Sequence, residues 1–447
     1  MKKVKKTVQG ERRALSERLL DIILVLMTVW TVLSHPSGET TDLAMTALSL
    51  LPLLAINYIC GGYEKRTGAD ARPVRIAVFL SGLSTSIAYS YGLARSALVQ
   101  NMLCFFFFVL AYFLAIRSDR LGIPLYRIRI VRFLAVPAIP FLLFLARLSP
   151  QPEAIQNEAF LYIKVAGRFV MVLPLLLLLS PMAFASLMSV YTDIPFLKKR
   201  GPGLALGQVL LLFLSCLIVF LTAANNEFGT AIMIAGLAVI IFILHGRNLF
   251  LKLVLTAVGL AGSGFLMLHV RKIQLRVGTW LHMSEALTGD QQSREAAEGV
   301  GYLLQSAPRW GLLGMGPGVS YKSFLEPAFF TSDYIYGVVL ANYGLILGLM
   351  TAFFAIYMSV CILKTNVIDR YDRTCNDVIG LQLLMMALLC IGGDIGSLPL
   401  TGLGFPFLSL SKSINAILYC NLAICLVIRR RGLRGQPGPS ASEEYLA

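Results

Sequence analysis

Residues 324–333 read Phe-Leu-Glu-Pro-Ala-Phe-Phe-Thr-Ser-Asp and close the one long polar interval between two strongly apolar halves of the chain. This interval begins near residue 270, and an apolar run of roughly thirty residues follows directly after Asp333. An acidic residue beside a membrane helix is a functional candidate, because charge is costly to keep next to lipid. The stretch therefore predicts a membrane protein whose chemistry lies beneath a large loop.

The composition indicates that lipid solvates most of the chain. Of its 447 residues, 57% are hydrophobic and 14% are charged, and the mean hydropathy is +0.73. Soluble domains carry about 25% charged residues. The apolar runs are continuous over about 20 residues and do not alternate, so they predict transmembrane helices rather than strands. The predicted fold class is an all-α polytopic membrane protein.

Twelve apolar segments predict about 12 transmembrane helices, with one large extracellular loop at 270–332 between spans 9 and 10. The segments lie near residues 19–34, 43–62, 75–94, 98–116, 132–148, 169–190, 204–223, 229–245, 249–269, 333–361, 377–396 and 410–428. The predicted organisation is a basic cytoplasmic N-terminus (1–18), a single transmembrane domain (19–428) and a disordered cytoplasmic tail (429–447).

The distribution of charge predicts the orientation of these helices. The net charge of +15 lies in short clusters between apolar runs, which is the positive-inside pattern and not the basic face of a nucleic-acid-binding protein. Segments 35–42, 224–228 and 397–409 contain no lysine or arginine and are predicted to lie outside. Both chain ends are then cytoplasmic, and the polar loop is extracellular.

The eight cysteines predict no disulfide or zinc framework, because none lies in the 270–332 loop and no C-x-x-C pair occurs. The apolar run after the basic N-terminus lacks a small-x-small cleavage site, so a retained first helix is expected rather than a signal peptide.

Asp333 has two compatible interpretations. Thr-Ser-Asp before an apolar run is typical of a helix N-cap, but a helix N-terminus also favours the ionised carboxylate that a general base requires. A continuous helix from Asp333 to Leu363 would be about 46 Å long, against about 30 Å of hydrocarbon. Such a helix would carry Asp333 to the outer interface.

Two other acids lie at predicted outer ends of spans. Glu227 precedes one helix, and Asp394 follows a Gly-Gly pair near the end of another. Each is either a functional residue or a group that caps a helix or makes an interhelical hydrogen bond. The glycine-rich run at 311–318 is either a flexible turn or a backbone that approaches an anion.

Three segments of the chain resemble the SEDS family (shape, elongation, division and sporulation), the FtsW/RodA/SpoVE-type proteins. Asn-Glu-Phe-Gly-Thr-Ala at 226–231 is similar to the family's Q-P-D-L-G-T-A. In the loop, Arg276-Val277 with Trp280 and Gly-Tyr-Leu-Leu-Gln-Ser at 301–306 resemble two further motifs. The closest resemblance is Leu-Pro-Leu-Thr-Gly-Leu-Gly-Phe-Pro-Phe-Leu-Ser at 398–409, against L-P-x-T-G-x-x-x-P-F-L-S.

The resemblance implies a function and a set of site residues. Family members commonly have ten spans, so two extra N-terminal spans are implied here. The implied activity is peptidoglycan glycosyltransfer, which polymerises lipid II into β-1,4 glycan strands at the outer face of the bacterial cytoplasmic membrane, with Asp333 as the general base. The residues implied to contact substrate are Arg276, Arg271, Lys322, Trp280, Gln305, Ser306, Glu227, Asp394, Thr401 and Ser409.

The resemblance also implies partners: lipid II, the nascent glycan strand, membrane lipids and a transpeptidase of the class B penicillin-binding type. The sequence demands no cofactor, but a divalent cation (Mg²⁺ or Mn²⁺) could assist the arginines and Lys322 at the leaving pyrophosphate.

The chain departs from the family in lacking P-S-E-x-x-K and in Leu410–Ser413. The alternatives are a flippase for the same precursor, an O-antigen-type polymerase or ligase, and a scaffold without catalysis.

Overall fold

The computed structural model describes most of the transmembrane region and part of the polar loop. The described residues are 28–29, 40–120, 124–152, 162–189, 206–225, 227–245, 252–254, 256–257, 261, 271–288, 300–301, 303–304, 306–318 and 331–434. Its helices are α1 (Thr40–Thr67), α2 (Arg72–Ser90), α3 (Ala94–Arg120), α4 (Arg129–Leu148), α5 (Leu173–Ser189), α6 (Leu206–Ala224), α7 (Phe228–His245), α8 (Arg271–Leu281), α9 (Met283–Thr288), α10 (Ile335–Leu363), α11 (Arg370–Asp394) and α12 (Lys412–Arg434).

The all-α polytopic fold predicted from hydropathy is confirmed. Within the described ranges, seven helices are long and apolar enough to cross a membrane. These seven are α1, α3, α4, α7, α10, α11 and α12, and α5 and α6 contribute shorter apolar helices. The predicted spans near 19–34 and 249–269 fall mostly outside the described residues, so the count of twelve stays a prediction.

The central pair of helices is α11 and α12. The most apolar windows of these two helices are 72% and 83% buried, whereas the window of α3 is 28% buried. α12 packs against α3 and α5, and α11 packs against α10, α5 and α7. Phe106 and Phe113 of α3 point away from the bundle, as expected of side chains that face lipid.

A two-stranded hairpin corrects the prediction for residues 169–190. Strand β1 (Tyr162–Val165) pairs antiparallel with β2 (Arg168–Met171), and α5 begins only at Leu173. Ala166 and Gly167 both have positive φ (49° and 79°), as a two-residue turn of this twist requires. The apolar residues at 169–171 therefore belong to a strand and not to a transmembrane helix.

Buried ion pairs join the helices at the end of the bundle where α10 finishes. Asp372 of α11 contacts Arg431 Nε at 3.0 Å and Arg127 Nη1 at 3.4 Å. Asp119 of α3 contacts Arg431 Nη1 at 3.2 Å and Arg430 Nη1 at 3.6 Å. All five side chains are less than 10% exposed. Basic residues assigned by sequence to the inner surface thus hold four parts of the chain together.

The condition behind the length calculation from Asp333 to Leu363, a continuous helix, does not hold, because α10 is broken at Gly344. This residue has φ 80° and ψ −177° inside an otherwise helical segment. Beyond the break, 345–363 still span about 28 Å, close to the thickness of the hydrocarbon core, which is about 30 Å. The part of α10 before the break, 335–343, is buried within the protein.

The glycine-rich run at 311–318 supplies hydrogen-bond partners for the backbone groups at this break. The N–H groups of Leu345 and Ile346 donate to the carbonyls of Gly311 and Leu312 at 3.1 and 3.2 Å. In return, the N–H of Met315 donates to the Ala341 carbonyl at 2.8 Å. Buried backbone groups must be paired, and the loop supplies the partners that the helix has lost. The run is therefore a structural element and not a free turn.

Gly344→Ala should lower the free energy of unfolding by about 2 kcal/mol or more, because alanine is strained at this φ. A Cβ at this position would also clash with the backbone nitrogen of Gly314. Thermal unfolding in detergent measures the effect. Gly278→Ala is the matched control, because a Cβ there meets no atom within 4 Å. An unchanged melting temperature for Gly344→Ala would contradict this account of the break.

Candidate functional site

Asp333 lies in the turn that leads into α10 and is partly exposed. The N-cap residue of α10 is Tyr334, which makes no side-chain capping hydrogen bond, so Asp333 does not occupy the cap position. The carboxylate is nevertheless within one turn of a helix N-terminus, where the helix dipole favours negative charge.

Asp394 supports the start of the same helix from inside the bundle. Its side chain is fully buried at the end of α11, and Oδ2 accepts the N–H of Gly337 at 3.0 Å. Cys390 Sγ lies 3.8 Å from the same oxygen. The sequence left a functional role and a structural role open, and the bond to Gly337 is the interhelical hydrogen bond of the structural interpretation. The predicted direct contact of Asp394 with substrate does not fit this burial, and its geometry is that of a residue that positions the first turn of α10.

The two carboxylates are electrostatically coupled, since the charge of Asp333 acts on Asp394. One is buried and committed to a backbone N–H, and the other faces the surface. Of these two described carboxylates, Asp333 is the one that solvent reaches, since Asp394 is fully buried.

Residues 398–409 form a loop that packs directly against the Asp333 turn. Ser409 Oγ donates to the Ser332 carbonyl at 2.8 Å, and the N–H of Leu410 donates to the Thr331 carbonyl at 2.7 Å. Gly402 has φ +70°, and a Cβ there would lie 4.0 Å from Asp333 Oδ2. The predicted site residue Ser409 thus holds the turn in place.

The first turn of α7 contacts the same loop. A Cβ on Gly229 would clash with the Thr401 carbonyl, so only glycine allows this approach. Glu227 Oε1 accepts a hydrogen bond from Thr230 Oγ1 at 3.2 Å. The approach of Gly229 to Thr401 brings the motif at 226–231 and the loop 398–409 together.

Helix α8 of the polar loop lies across the other side of loop 398–409. Arg276 Nη1 donates to the Leu400 carbonyl at 3.2 Å, and Trp280 Nε1 donates to the Gly396 carbonyl at 2.8 Å. A cavity of about 210 Å³ lies between α8, this loop and the start of α7. Its lining is largely apolar, and Arg276 carries the only charge among the described residues that form it.

The remaining predicted site residues are not brought to this loop by described contacts. Ser306 is buried, donates to the Leu303 carbonyl at 2.8 Å and accepts from Trp310 Nε1 at 3.0 Å, so it supports the polar loop internally. Arg271 begins α8, but its side chain is outside the described set. Lys322 and Gln305 also lie outside the described residues.

Sequence reasoning missed three residues that shape the site. Gly402 gives the loop its left-handed turn beside Asp333. Asn415 Oδ1 accepts the N–H of Phe407, which has φ +64°, and thereby fixes an unusual backbone conformation. Tyr336 stacks on Phe405 with ring centroids 6.0 Å apart. The glycine was visible inside a recognised motif, but the other two contacts carry no local signal.

The described residues do not form a dedicated metal site. No group of three or more histidine, cysteine, aspartate or glutamate side chains comes together in the part of the chain that the structure describes. Asp394 Oδ2 is already committed to the N–H of Gly337. These described residues do not fit a divalent cation held by protein side chains.

The fold and this site define a class: a polytopic helical membrane protein with an acidic site between a helix start and two packed loops. Residues 181–432, more than half of the chain, match the family of FtsW, RodA and SpoVE, described as cell cycle proteins. The chain belongs to this family. No curated protein shows significant sequence similarity to it.

Solved structures share the fold at low sequence identity. A chain from a peptidoglycan synthase complex, studied for the coordination of polymerization and crosslinking, aligns with a TM-score of 0.60 and 16% identity, over 81% of this chain and 98% of that one. The rod shape determining protein RodA of Thermus thermophilus aligns with a TM-score of 0.53 and 17% identity, over 82% and 98%. A mutant of that RodA gives a TM-score of 0.53 and 16% identity, over 82% and 99%.

Proposed function

We propose that this protein is a peptidoglycan glycosyltransferase that polymerises lipid II, with Asp333 as the general base. Membership of the FtsW, RodA and SpoVE family and a fold shared with a chain of a peptidoglycan synthase complex support a role in peptidoglycan synthesis. The single observation that carries the enzymatic proposal is the position of Asp333. Its partly exposed carboxylate sits at a helix start, between loop 398–409 and the buried Asp394.

The proposed reaction is one direct displacement with inversion. The 4-hydroxyl of one sugar attacks the anomeric carbon of the next, a C–O bond forms, and the bond to the lipid pyrophosphate breaks. Asp333 accepts the hydroxyl proton, for which it must be ionised at neutral pH, and the N-terminus of α10 favours that state. The pyrophosphate leaves as a stable anion, so a cation serves it better than a general acid.

Arg276 is the described cation best placed for that pyrophosphate. It is fixed by its bond to the Leu400 carbonyl, in the same loop that packs against the Asp333 turn. The cavity of about 210 Å³ beside it has an apolar lining. A charged group next to an apolar cavity suits a ligand whose pyrophosphate joins a polyprenyl tail. Arg271 and Lys322 remain proposed as further cations.

The proposed orientation follows from the charge pattern, with both chain ends in the cytoplasm and Asp333 at the outer face of the membrane. Lipid II and the growing glycan strand would then meet the site from outside. By analogy with the peptidoglycan synthase complex that couples polymerization to crosslinking, we propose a class B penicillin-binding transpeptidase as partner. The site does not distinguish division, elongation and sporulation.

The flippase alternative predicts charged groups near the middle of the membrane helices. In the described spans, the charged side chains lie within about two turns of a helix end, and Asp377 of α11 is the deepest. This distribution favours chemistry at the surface over passage through the bundle. A scaffold without activity and an O-antigen-type polymerase are distinguished by the substrate assay.

The direct test is polymerisation of lipid II by the purified full chain in detergent or liposomes, with and without its transpeptidase. The proposal expects glycan strands that a gel resolves and that a muramidase digests. Polymer from a lipid-linked O-antigen unit but none from lipid II would show that the protein is an O-antigen-type polymerase instead. If no polymer forms with the partner present, the scaffold without catalysis would be the better interpretation.

Arg276→Gln should lower kcat/KM for lipid II about a hundredfold, because one fixed donor to the leaving group is lost. Arg276→Lys should retain part of the rate, since it keeps the charge. The matched control is Arg309→Gln, which removes one exposed positive charge from the same polar loop. Similar losses for Arg276→Gln and Arg309→Gln would show that only the overall charge of the loop matters.

A further inference from the structure

A second and larger cavity lies at the end of α10 opposite Asp333. Its volume is about 650 Å³, and the α1–α2 turn, the last turns of α10 and the end of α12 surround it. The charged residues described in its lining are Arg72, Lys364, Arg429 and Asp70. Three cations therefore accompany one carboxylate, and the cavity carries a net positive charge.

Two of these cations are held in fixed positions. Arg72 Nη2 pairs with Asp70 Oδ2 at 2.7 Å, and its Nη1 donates to Tyr357 Oη at 2.6 Å. Arg429 Nε donates to Thr365 Oγ1 at 3.0 Å, and its Nη1 lies 3.5 Å from Asp70 Oδ2. Burial raises the pKa of Asp70, but hydrogen bonds from Arg72 and the charge of Arg429 outweigh it and lower the pKa below its ordinary value. Asp70 thus stays ionised at neutral pH and keeps the two guanidinium groups oriented.

The third cation, Lys364, is exposed at the C-cap of α10. Its backbone N–H donates to the Val360 carbonyl, but its side chain makes no hydrogen bond or ion pair with another described residue, so the ammonium keeps three donors for a ligand. The nearby C-terminal ends of α1, α10 and α12 each carry only about half a negative charge, and the N-terminus of α2 carries about half a positive charge. These partial charges do not cancel the excess of two cations, and the cavity remains suited to an anion.

An apolar stripe runs from this cavity along α10. Tyr357, Phe353 and Leu349 are four residues apart and share one face of the helix. The rings of Tyr357 and Phe353 stack with centroids 5.7 Å apart. Phe353 and Leu349 are 59% and 58% exposed. The stripe covers about 12 Å of helix, toward the middle of the membrane-spanning segment.

We propose that this cavity binds the anionic headgroup of a membrane phospholipid, whose acyl chain lies along the stripe of Tyr357, Phe353 and Leu349. The recognised group is a phosphate, and the stripe is what favours a lipid over free phosphate. Basic pockets between membrane helices on the cytoplasmic side bind such headgroups. The charge pattern predicts that this end of the bundle is cytoplasmic, so the lipid comes from the inner leaflet.

Native mass spectrometry of the purified full chain in detergent tests the proposal. The chain is titrated with phosphatidylglycerol, with phosphatidylcholine of the same acyl chains, and with inorganic phosphate. Phosphatidylglycerol should bind about tenfold more tightly than phosphatidylcholine, because its headgroup has a net negative charge and interacts with at least two cations. Inorganic phosphate at equal concentration should not displace it.

Lys364→Gln should weaken phosphatidylglycerol binding about fivefold, which corresponds to one lysine near a lipid headgroup. Lys65→Gln is the matched control: it removes an exposed charge from the last turn of α1, at the same end of the bundle but outside the cavity. Equal binding of the two lipids, displacement by inorganic phosphate, or equal effects of the two variants would each overturn the proposal.

Discussion

Asp333→Asn should reduce polymerisation of lipid II about a thousandfold, within the range expected for loss of a general base. Asparagine has the same shape but cannot accept the proton of the attacking hydroxyl. Ser409 and Leu410 hold the turn around Asp333 through bonds to the backbone carbonyls of Ser332 and Thr331, and the substitution leaves both bonds in place. The variant should therefore insert into the membrane and elute from size-exclusion chromatography as the wild type does.

Glu285→Gln is the control for this variant. Glu285 lies in α9 of the same polar loop, and its side chain is 80% exposed. It should polymerise at the wild-type rate. If Asp333→Asn also retained that rate, Asp333 would be a structural residue of the turn and the proposed base would be lost.

Asp372→Asn should lower the free energy of unfolding by about 3 kcal/mol, the largest loss among the variants proposed for this protein. The carboxylate contacts both Arg127 and Arg431, and its side chain is only 1% exposed. Its removal leaves two buried guanidinium groups without this counter-charge. Thermal unfolding in detergent, followed by the monodisperse fraction after heating, measures the change.

Asp369→Asn is the matched control for Asp372→Asn. Asp369 also pairs with Arg127, at 3.2 Å, but its side chain is 21% exposed. It is the N-cap of α11, where its carboxylate accepts the N–H of Asp372, and asparagine caps a helix about as well as aspartate. The expected loss is below about 1 kcal/mol, because solvent reaches the partly exposed Asp369 carboxylate and screens its pair with Arg127. Equal losses for the two variants would contradict the importance of burial in this network.

The sequence predicts the helical class because a transmembrane helix can be recognised from the hydropathy of its own consecutive residues. The run predicted at 333–361 corresponds to α10 at Ile335–Leu363. The break at Gly344 could not be predicted in the same way, since the apolar pattern continues across it. Its cause lies in the backbone of 311–316, which is about thirty residues away in sequence.

The candidate site shows the same limit. Resemblance to a family pointed to Asp333 and to the motif at 398–409, and the structure packs that loop against the Asp333 turn. The sequence left Asp394 open between a functional role and a structural one, a cap or an interhelical bond, because its partner Gly337 is 57 residues away. Likewise, the distribution of charge along the sequence predicted that Arg127 and Arg431 lie at an inner surface. That they are buried and paired with Asp372 depends on how the helices pack, which the sequence does not show.

The central claim is that the Asp333 carboxylate drives glycan polymerisation, and the ratio of two rates tests it most directly. Purified wild-type chain and Asp333→Asn are given the same lipid II, with the same transpeptidase present, and strand formation is followed over time. The account predicts glycan strands from the wild type and a rate about a thousandfold lower from the variant. Strands formed at equal rates by both proteins would contradict it.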